Sequence, residues 1–272
     1  DVDTGDSATL SGTTVPSWLT FTAATGVLTG TPTNAEVGSH SVVITATDTN
    51  SASTTQSFTL VVANTNDAPT VTSTAVTSAT EDSAYTYTVT ASDVDVGDTL
   101  TMTGTTVPGW LTFDATTGVL SGTPLNANVG DNSVVITVGD GTTTVTDSFT
   151  ITVANTNDAP TITSTAVTAA TEDSLYTYAV TASDVDAGDT VTLSATTIPS
   201  WMTFSSTSVL SGTPTNAEVG SHAVVITATD ASGATATDSF TIVVANTNDA
   251  PTITSTAVTS ATEDSAYTYT VT

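Results

Sequence analysis

Apolar and polar residues alternate through most of this chain. Phe58-Thr-Leu-Val-Val-Ala63, Phe149-Thr-Ile-Thr-Val-Ala154 and Phe240-Thr-Ile-Val-Val-Ala245 are three such runs, alike in length and order. A period of two marks a strand with one face buried, since successive side chains point to opposite sides. Each run leads into Asn-Thr-Asn-Asp-Ala-Pro, at Asn64 to Pro69, Asn155 to Pro160 and Asn246 to Pro251. A further threonine-rich alternating run follows each. One strand therefore ends, a short polar link passes, and another begins. Proline stiffens the link with its fixed φ and missing N–H.

The middle of the chain shows the full set of elements. Thr70 to Thr80 reads as a first strand with a break, and Ala84-Tyr-Thr-Tyr-Thr-Val-Thr-Ala91 as a second. Leu100 to Val107 is a third. Pro108 to Phe113 and Gly118 to Gly122 form a hairpin turning at Ala115 to Gly118. Ser133 to Val138 and Thr144 to Ala154 complete the set. No stretch shows a helical period. About seven short strands with regular turn signals predict an all-β fold: a seven-stranded antiparallel Greek-key β-sandwich. Tyr85, Tyr87, Trp110, Phe113, Leu120, Val135 and Phe149 are the expected core.

The pattern repeats. Asp67, Asp158 and Asp249 stand 91 residues apart, as do Glu81, Glu172 and Glu263. That period is too long for a solenoid unit and fits a small independent β-domain. The expected division is a repeat lacking its first two strands at 1–63, complete repeats at 64–154 and 155–245, and the first two strands of another at 246–272. Asp1-Val-Asp-Thr-Gly-Asp6 aligns with Asp93-Val-Asp-Val-Gly-Asp98, in the middle of a repeat.

Charge narrows the function. The chain has no Lys, no Arg and 27 acidic residues, for a formal net charge of −27. Its carboxylates are solvated, hydrogen-bonded or neutralised by bound cations. Nucleic acid and anionic membranes, which are held through Lys and Arg, are poor partners. Cysteine is absent, which excludes disulfides and thiolate metal sites. No apolar run approaches the ~18 residues of a membrane span, so no membrane insertion is expected.

The acidic residues cluster at the links. Asp-x-Asp on a tight bend projects two carboxylates together, and calcium takes six to eight such oxygens, with amides and carbonyls among them. Asp-Val-Asp-x-Gly-Asp is equally readable as a solvated turn held by Asx hydrogen bonds. An EF-hand is excluded, because Gly97 falls one position early and the twelfth position is Gly104. His40 and His222 occupy equivalent positions where the middle copy has Asn132, which argues for surface turn residues and against catalysis. No triad, zinc cluster, phosphate loop or paired glycosidase carboxylates appear.

Pro-Ser-Trp-Leu-Thr-Phe…Thr-Gly-Val-Leu-Thr-Gly-Thr-Pro (Pro16 to Pro32), with copies at Pro108 to Pro124 and Pro199 to Pro214, resembles the bacterial putative-Ig and dystroglycan-type cadherin-like domains. The order Ala-Ser-Asp-Val-Asp, Thr-Val-Gly-Asp, Asn-Asp-Ala-Pro is similar to that of cadherin repeats. The resemblance implies calcium (Ca2+) ligands at the junctions. Asn66 and Asp67 would face Asp93, Asp95 and Asp140; Asn157 and Asp158 would face Asp184, Asp186 and Asp230. Glu81 and Glu172 match the glutamate that reaches toward the following link. In head-to-tail register, Asn248 and Asp249 would meet Asp1, Asp3 and Asp48. The cadherin Leu-Asp-Arg-Glu segment is replaced by residues such as Leu125-Asn-Ala-Asn128, and the first linker position is Asn, so fewer ions than a full junction are expected.

The implied role is a non-catalytic, calcium-stiffened array in an extracellular adhesin, stalk or filament at a bacterial cell surface. Its partners would be copies of itself or further repeats of the same chain, head to tail, with cell-surface glycans or proteins as possible ligands. The alternative is an array of carbohydrate-binding modules in a secreted enzyme, for which Tyr85 and Tyr87 are the candidate aromatic platform.

Overall fold

A computed structural model of the protein describes residues 5–272. The chain divides between Asn155 and Thr156 into two compact units. The first unit opens with β1 (Thr9–Thr14), β2 (Thr20–Thr22), β3 (Val27–Thr29), β4 (Gly38–Thr47) and β5 (Ser53–Val62). The sheet order is β1-β4-β5, with β2-β3 as a separate hairpin. We call this the first body.

The second body follows in the same unit. It comprises β6 (Thr70–Val71), β7 (Ser78–Thr80), β8 (Tyr85–Thr88), β9 (Ala91–Ser92), β10 (Thr101–Thr106), β11 (Leu111–Asp114), β12 (Val119–Gly122), β13 (Gly130–Gly139) and β14 (Thr144–Ala154). A four-stranded sheet, β10-β13-β14-β7, packs with a three-stranded sheet, β11-β12-β8, while β6 pairs with β9. All pairings are antiparallel except β7 on β14. This is the seven-stranded sandwich the alternation predicts, with its first strand split as expected.

The second unit repeats the plan as a third body: β15 (Thr161–Ile162), β16 (Ala169–Thr171), β17 (Tyr176–Ala179), β18 (Ala182–Ser183), β19 (Thr192–Thr197), β20 (Met202–Phe204), β21 (Val209–Gly212), β22 (Gly220–Thr229) and β23 (Thr235–Ala245). Its sheets are β16-β23-β22-β19, β17-β21-β20 and β15-β18. Residues 246–272 follow with no assigned strand.

The cores form where the two sheets face each other. In the second body Leu120, Ile136 and Ile151 are fully buried beneath Tyr85, Tyr87 and Val89. Trp110, Phe113 and Phe149 pack on this core from its margin. Val135 is a correction: it is half-buried on the opposite face, while Val134 and Ile136 point inward. The run Val134-Val-Ile-Thr-Val138 is apolar on both phases, and only the pairing of β13 with β14 selects the phase. Tyr85 and Tyr87 are both 5% exposed, so they form no sugar platform. Their hydroxyls find partners as buried phenols must: Tyr85 donates to the Val76 carbonyl at 2.7 Å and Tyr87 to Asp147 Oδ2 at 3.1 Å. Burial pushes the Tyr85 hydroxyl up to about 12.

Two further features depart from the expected pattern. Strand β13 begins at Gly130, three residues before the expected start. Short 3-10 turns occur at Asn34–Glu36, Asn126–Asn128 and Asn216–Glu218, where no helical turn is expected. The first and third are closed by a capping box, in which the Glu36 carboxylate accepts from the Thr33 N–H at 2.8 Å and its hydroxyl at 2.7 Å.

Candidate metal centre

Each complete body carries a tight acidic bend between its fourth and fifth strands, β9 to β10 and β18 to β19. Asp93 Oδ1 accepts the Asp95 N–H at 2.9 Å, and Asp184 Oδ1 accepts that of Asp186 at 3.0 Å. These are Asx turns, so the hydrogen bonds of a plain turn are present. They also turn the second carboxylate inward. Asp95 is 5% exposed and Asp186 7%. Asp95 Oδ2 accepts the Asp67 N–H at 2.7 Å, and Asp186 Oδ2 accepts that of Asp158 at 2.8 Å. The link backbone is thus tied to the bend by a charge-assisted hydrogen bond.

The link asparagines reach the third expected carboxylate. Asn66 Nδ2 donates to Asp140 Oδ2 at 3.0 Å and to the Asp67 carbonyl at 2.8 Å. Asn157 Nδ2 donates to Asp230 Oδ2 at 2.8 Å and to the Asp158 carbonyl at 2.9 Å. Asp140 Oδ1 also accepts the Thr142 and Thr143 N–H groups, both at 2.6 Å. The Thr143 backbone N–H and hydroxyl hold the Asp140 carboxyl well below the usual carboxylate range. The Asn157 amide lowers the Asp230 carboxyl.

Oxygens of Asp93, Asp98 and Asp140 lie within 4.8 Å of one another, as do those of Asp184, Asp186 and Asp189. Asp98 responds to this crowding. Loss of solvent, then the charges of Asp93, Asp95 and Asp140, push its carboxyl up. Asp93 Oδ2 and Asp184 Oδ2 are buried with no hydrogen-bond partner. A buried anionic oxygen without a donor is costly, and no Lys or Arg exists to supply one. The donor set of hard oxygens fits calcium better than a softer metal.

The glutamates behave differently from the aspartates. Glu81 is 1% exposed, and its N–H donates to the Ala154 carbonyl at 2.9 Å. Glu172 is 2% exposed, and its Oε2 accepts the Thr247 N–H at 3.0 Å, holding the start of the link that follows. Oxygens of Glu172, Asp173 and Asp249 lie within 4.8 Å of one another. Asn248 donates to the Asp249 carbonyl at 3.4 Å. Asp48 closes its own turn by accepting the Asn50 and Ala52 N–H groups. Asp1 and Asp3 lie outside the described residues.

Several residues join these clusters without having been expected there. Asp98 and Asp189 end the Asp-x-Asp-x-Gly-Asp motif, so the motif itself carried the signal. Asp173 follows Glu172 in left-handed backbone, φ 58°. Asn34 Nδ2 donates to Asp67 Oδ2 at 2.7 Å and to Asp95 Oδ1 at 3.2 Å. Asn216 Nδ2 donates to Asp249 Oδ2 at 2.7 Å. These asparagines lie 33 residues or more from the carboxylates they touch, and only folding reveals the contact.

The histidines correct an expectation. His40 and His222 are strand residues of β4 and β22, half-buried and edge-on to Trp18 and Trp201 at 5.8 and 5.9 Å. The Nε2 of His222 bonds the Glu218 carbonyl at 2.6 Å. Asn132 donates to the Asn128 carbonyl at 2.8 Å in the same place, and also accepts from Trp110 Nε1 at 3.0 Å. The position serves packing in all three copies.

Comparison with known proteins gives a consistent picture. The profile of the family described as Putative Ig domain matches residues 1–63, 68–154 and 159–245. The serine-rich adhesin for platelets of Staphylococcus aureus strain MRSA252 is 35% identical over 144 residues, covering 52% of this chain and 10% of the adhesin. The adhesin of strain MSSA476 is equally similar, with 6% of its length covered. The match therefore spans a tenth or less of these relatives. Extracellular cadherin domains 1–5 of protocadherin gamma B2 superpose with a TM-score of 0.54 at 18% identity, over 89% of this chain and 53% of that one. Domains 1–4 of the gamma B3 protein give the same score and identity over 89% and 67%. The protocadherin likeness shows the fold: tandem cadherin-like β-sandwiches.

Proposed function

The chain belongs to the Putative Ig domain family, and we propose that it is a non-catalytic repeat array that works mechanically, as part of an adhesin, stalk or filament. The adhesin relative and the cadherin fold support an extracellular or cell-surface location. No helix among the described residues is long and apolar enough to cross a membrane. The repeats are divided at the Asn-Thr-Asn-Asp-Ala-Pro links: 1–63, 64–154, 155–245 and the start of another at 246–272.

The observation that carries the reading is the carboxylate cluster that recurs beside the first two links, each with one buried oxygen lacking a donor, in a chain without Lys or Arg. Calcium, when bound, supplies the positive charge that this sequence omits. Asp93, Asp98 and Asp140 would hold it at the second body, and Asp184, Asp186 and Asp189 at the third, with Glu172, Asp173 and Asp249 as a further set. The protein's own groups do the rest. The Asp67 N–H on Asp95 and the Asn66 amide on Asp140 fix where the link leaves the second body. Ordering the cluster therefore orders the link, and the array transmits tension along its axis. Neighbouring repeats then meet head to tail.

Thermal unfolding and small-angle scattering, with calcium and with chelator, test this. Calcium is expected to raise the unfolding temperature and extend the scattering profile. Binding only to the folded state adds about 2.7 kcal/mol at a hundredfold excess over Kd. Identical melts and profiles in both conditions would refute it.

A further inference from the structure

Each complete body carries a carboxylate where its strand pattern calls for an apolar side chain. Asp147 on β14 and Asp238 on β23 stand two residues before Phe149 and Phe240, in the phase that faces the core. Their partners across the sheet are Ile136 and Ile226, both fully buried. The two aspartates are half-buried. In the second body the charge is answered, because Tyr87 donates to Asp147 Oδ2 at 3.1 Å. In the third body the matching phenol, Tyr178, bonds Ser164 Oγ at 2.8 Å, and Asp238 has no donor among the described residues. A carboxylate partly withdrawn from water without a donor is costly, and no Lys or Arg exists in the chain to neutralise it.

A cavity opens at that carboxylate. Strand β15 pairs with β18, and β16 pairs with β23, so the chain crosses between the two pairings over residues 163–168. Beside the crossing, against the start of β23, lies a cavity of about 470 Å³. Thr161, Ile162, Ser164, Ala166, Thr237 and Asp238 are among the residues that line it. Ser164 Oγ is already engaged, by Tyr178 and by the Thr181 N–H at 3.0 Å. The lining thus combines an apolar part, Ile162 and Ala166, with an acceptor part, the Asp238 carboxylate and the threonine hydroxyls.

We propose that this cavity binds a lysine side chain carried by a partner polypeptide. An ammonium group brings three donors and no acceptor, which suits a site whose charge is an unanswered carboxylate. Its four-carbon stem covers Ile162 and Ala166. Calcium fits the cavity poorly, since it takes six to eight oxygens and Asp238 is the carboxylate offered. The chain's charge of −27 draws basic partners toward it. The first body has Gln56 at the same place, opposite Ile44, and the second has its carboxylate tied to Tyr87. The third body is therefore where the partner is held, and the site gives the array a grip that its mechanical role does not supply.

A nuclear magnetic resonance titration of the full 272-residue chain tests the proposal. Chelator is present, so failure here leaves the calcium reading standing, and NaCl is about 0.15 M, where the Debye length is about 8 Å. The probes are n-butylammonium chloride, n-butanol and the capped peptide acetyl-Gly-Lys-Gly-amide. The ammonium and the peptide are expected to give saturable shifts confined to residues 161–166 and 237–238. The alcohol, with the same stem and no charge, should give none. Asp238→Asn keeps the shape of the side chain, and its spectrum reports whether the third body is folded. It is expected to weaken both charged probes by about tenfold or more, while Asp147→Asn leaves them unchanged. Shifts spread over the acidic residues at large, equal binding by n-butanol, a peptide that does not bind, or undiminished binding to the folded Asp238→Asn chain would each overturn the proposal.

Discussion

At the scale of the residue, the acidic clusters set two opposite dependences on pH. Asp140 has a depressed carboxyl in the fold, through the Thr143 N–H and hydroxyl. It therefore contributes stability that is present above the unfolded carboxylate range and lost as pH falls through its folded value. Asp98 is raised, so in the metal-free protein its ionisation costs stability, and falling pH relieves that cost. Asp98→Asn is accordingly expected to raise the metal-free melting temperature at neutral pH and to shrink the gain on adding calcium. Calorimetry of both proteins in chelator and in calcium gives the answer; a loss of stability in chelator would show that the carboxylate is structural. A second single-residue test lies at the hairpin turns. Gly26 and Gly118 take left-handed backbone at φ 72° and 70°, and the third body puts Ser208 there at φ 61°. A side chain in that region costs about 1 kcal/mol or more. Ser208→Gly should stabilise the third body by roughly 0.5–1 kcal/mol in denaturant unfolding, since glycine's greater unfolded entropy returns part of the gain.

At the scale of the element, the strands draw their stability from the sheet that covers them. Leu120 on β12 is fully buried beneath Tyr87 of β8. Leu120→Ala should cost about 2–5 kcal/mol, the range for a buried leucine cavity. Chemical unfolding of the variant, monitored by tryptophan fluorescence, measures the cost, and a loss under about 1 kcal/mol would mean that water already reaches the site in solution. The 3-10 turns show another element-scale device. Glu36 and Glu218 accept from Thr33 and Thr215, which orders Asn34 and Asn216 toward the link aspartates. The glutamates thus position amide donors where a charged side chain is absent.

At the scale of the whole molecule, the absence of Lys and Arg makes the electrostatics one-sided. In most proteins salt screens attraction and repulsion together. Here no Lys or Arg pairs exist to be weakened, so screening relieves repulsion alone. The melting temperature in chelator is expected to rise steadily between low and moderate NaCl, before any specific ion effect enters. Differential scanning calorimetry across a salt series checks it, and a falling melting temperature would count against the charge argument. Calcium at low concentration should act beyond this screening, because it neutralises particular clusters instead of an atmosphere. The same one-sided charge makes the link carboxylates depend on backbone N–H groups and on Asn34, Asn66, Asn157 and Asn216 for donors.

Alternation with period two, the turn signals and the 91-residue recurrence determined the all-β sandwich, because strand faces and tight turns are local properties of the chain. They also located Asp93, Asp95, Asp140 and their counterparts, since a motif carries its own carboxylates. Tertiary structure decided what depends on contacts distant in sequence. It chose the phase of β13, burying Val134 and Ile136 and turning Val135 outward. It placed Tyr85 and Tyr87 in the core the alternation predicts, against their alternative as an exposed platform. It moved His40 and His222 from expected turns to packing positions against tryptophan. It brought Asn34 to Asp67 and Asn216 to Asp249 across 33 residues. A hydrophobic pattern fixes which faces are apolar, but two faces of similar polarity, or two groups far apart in the chain, are assigned only when the sheets close on one another.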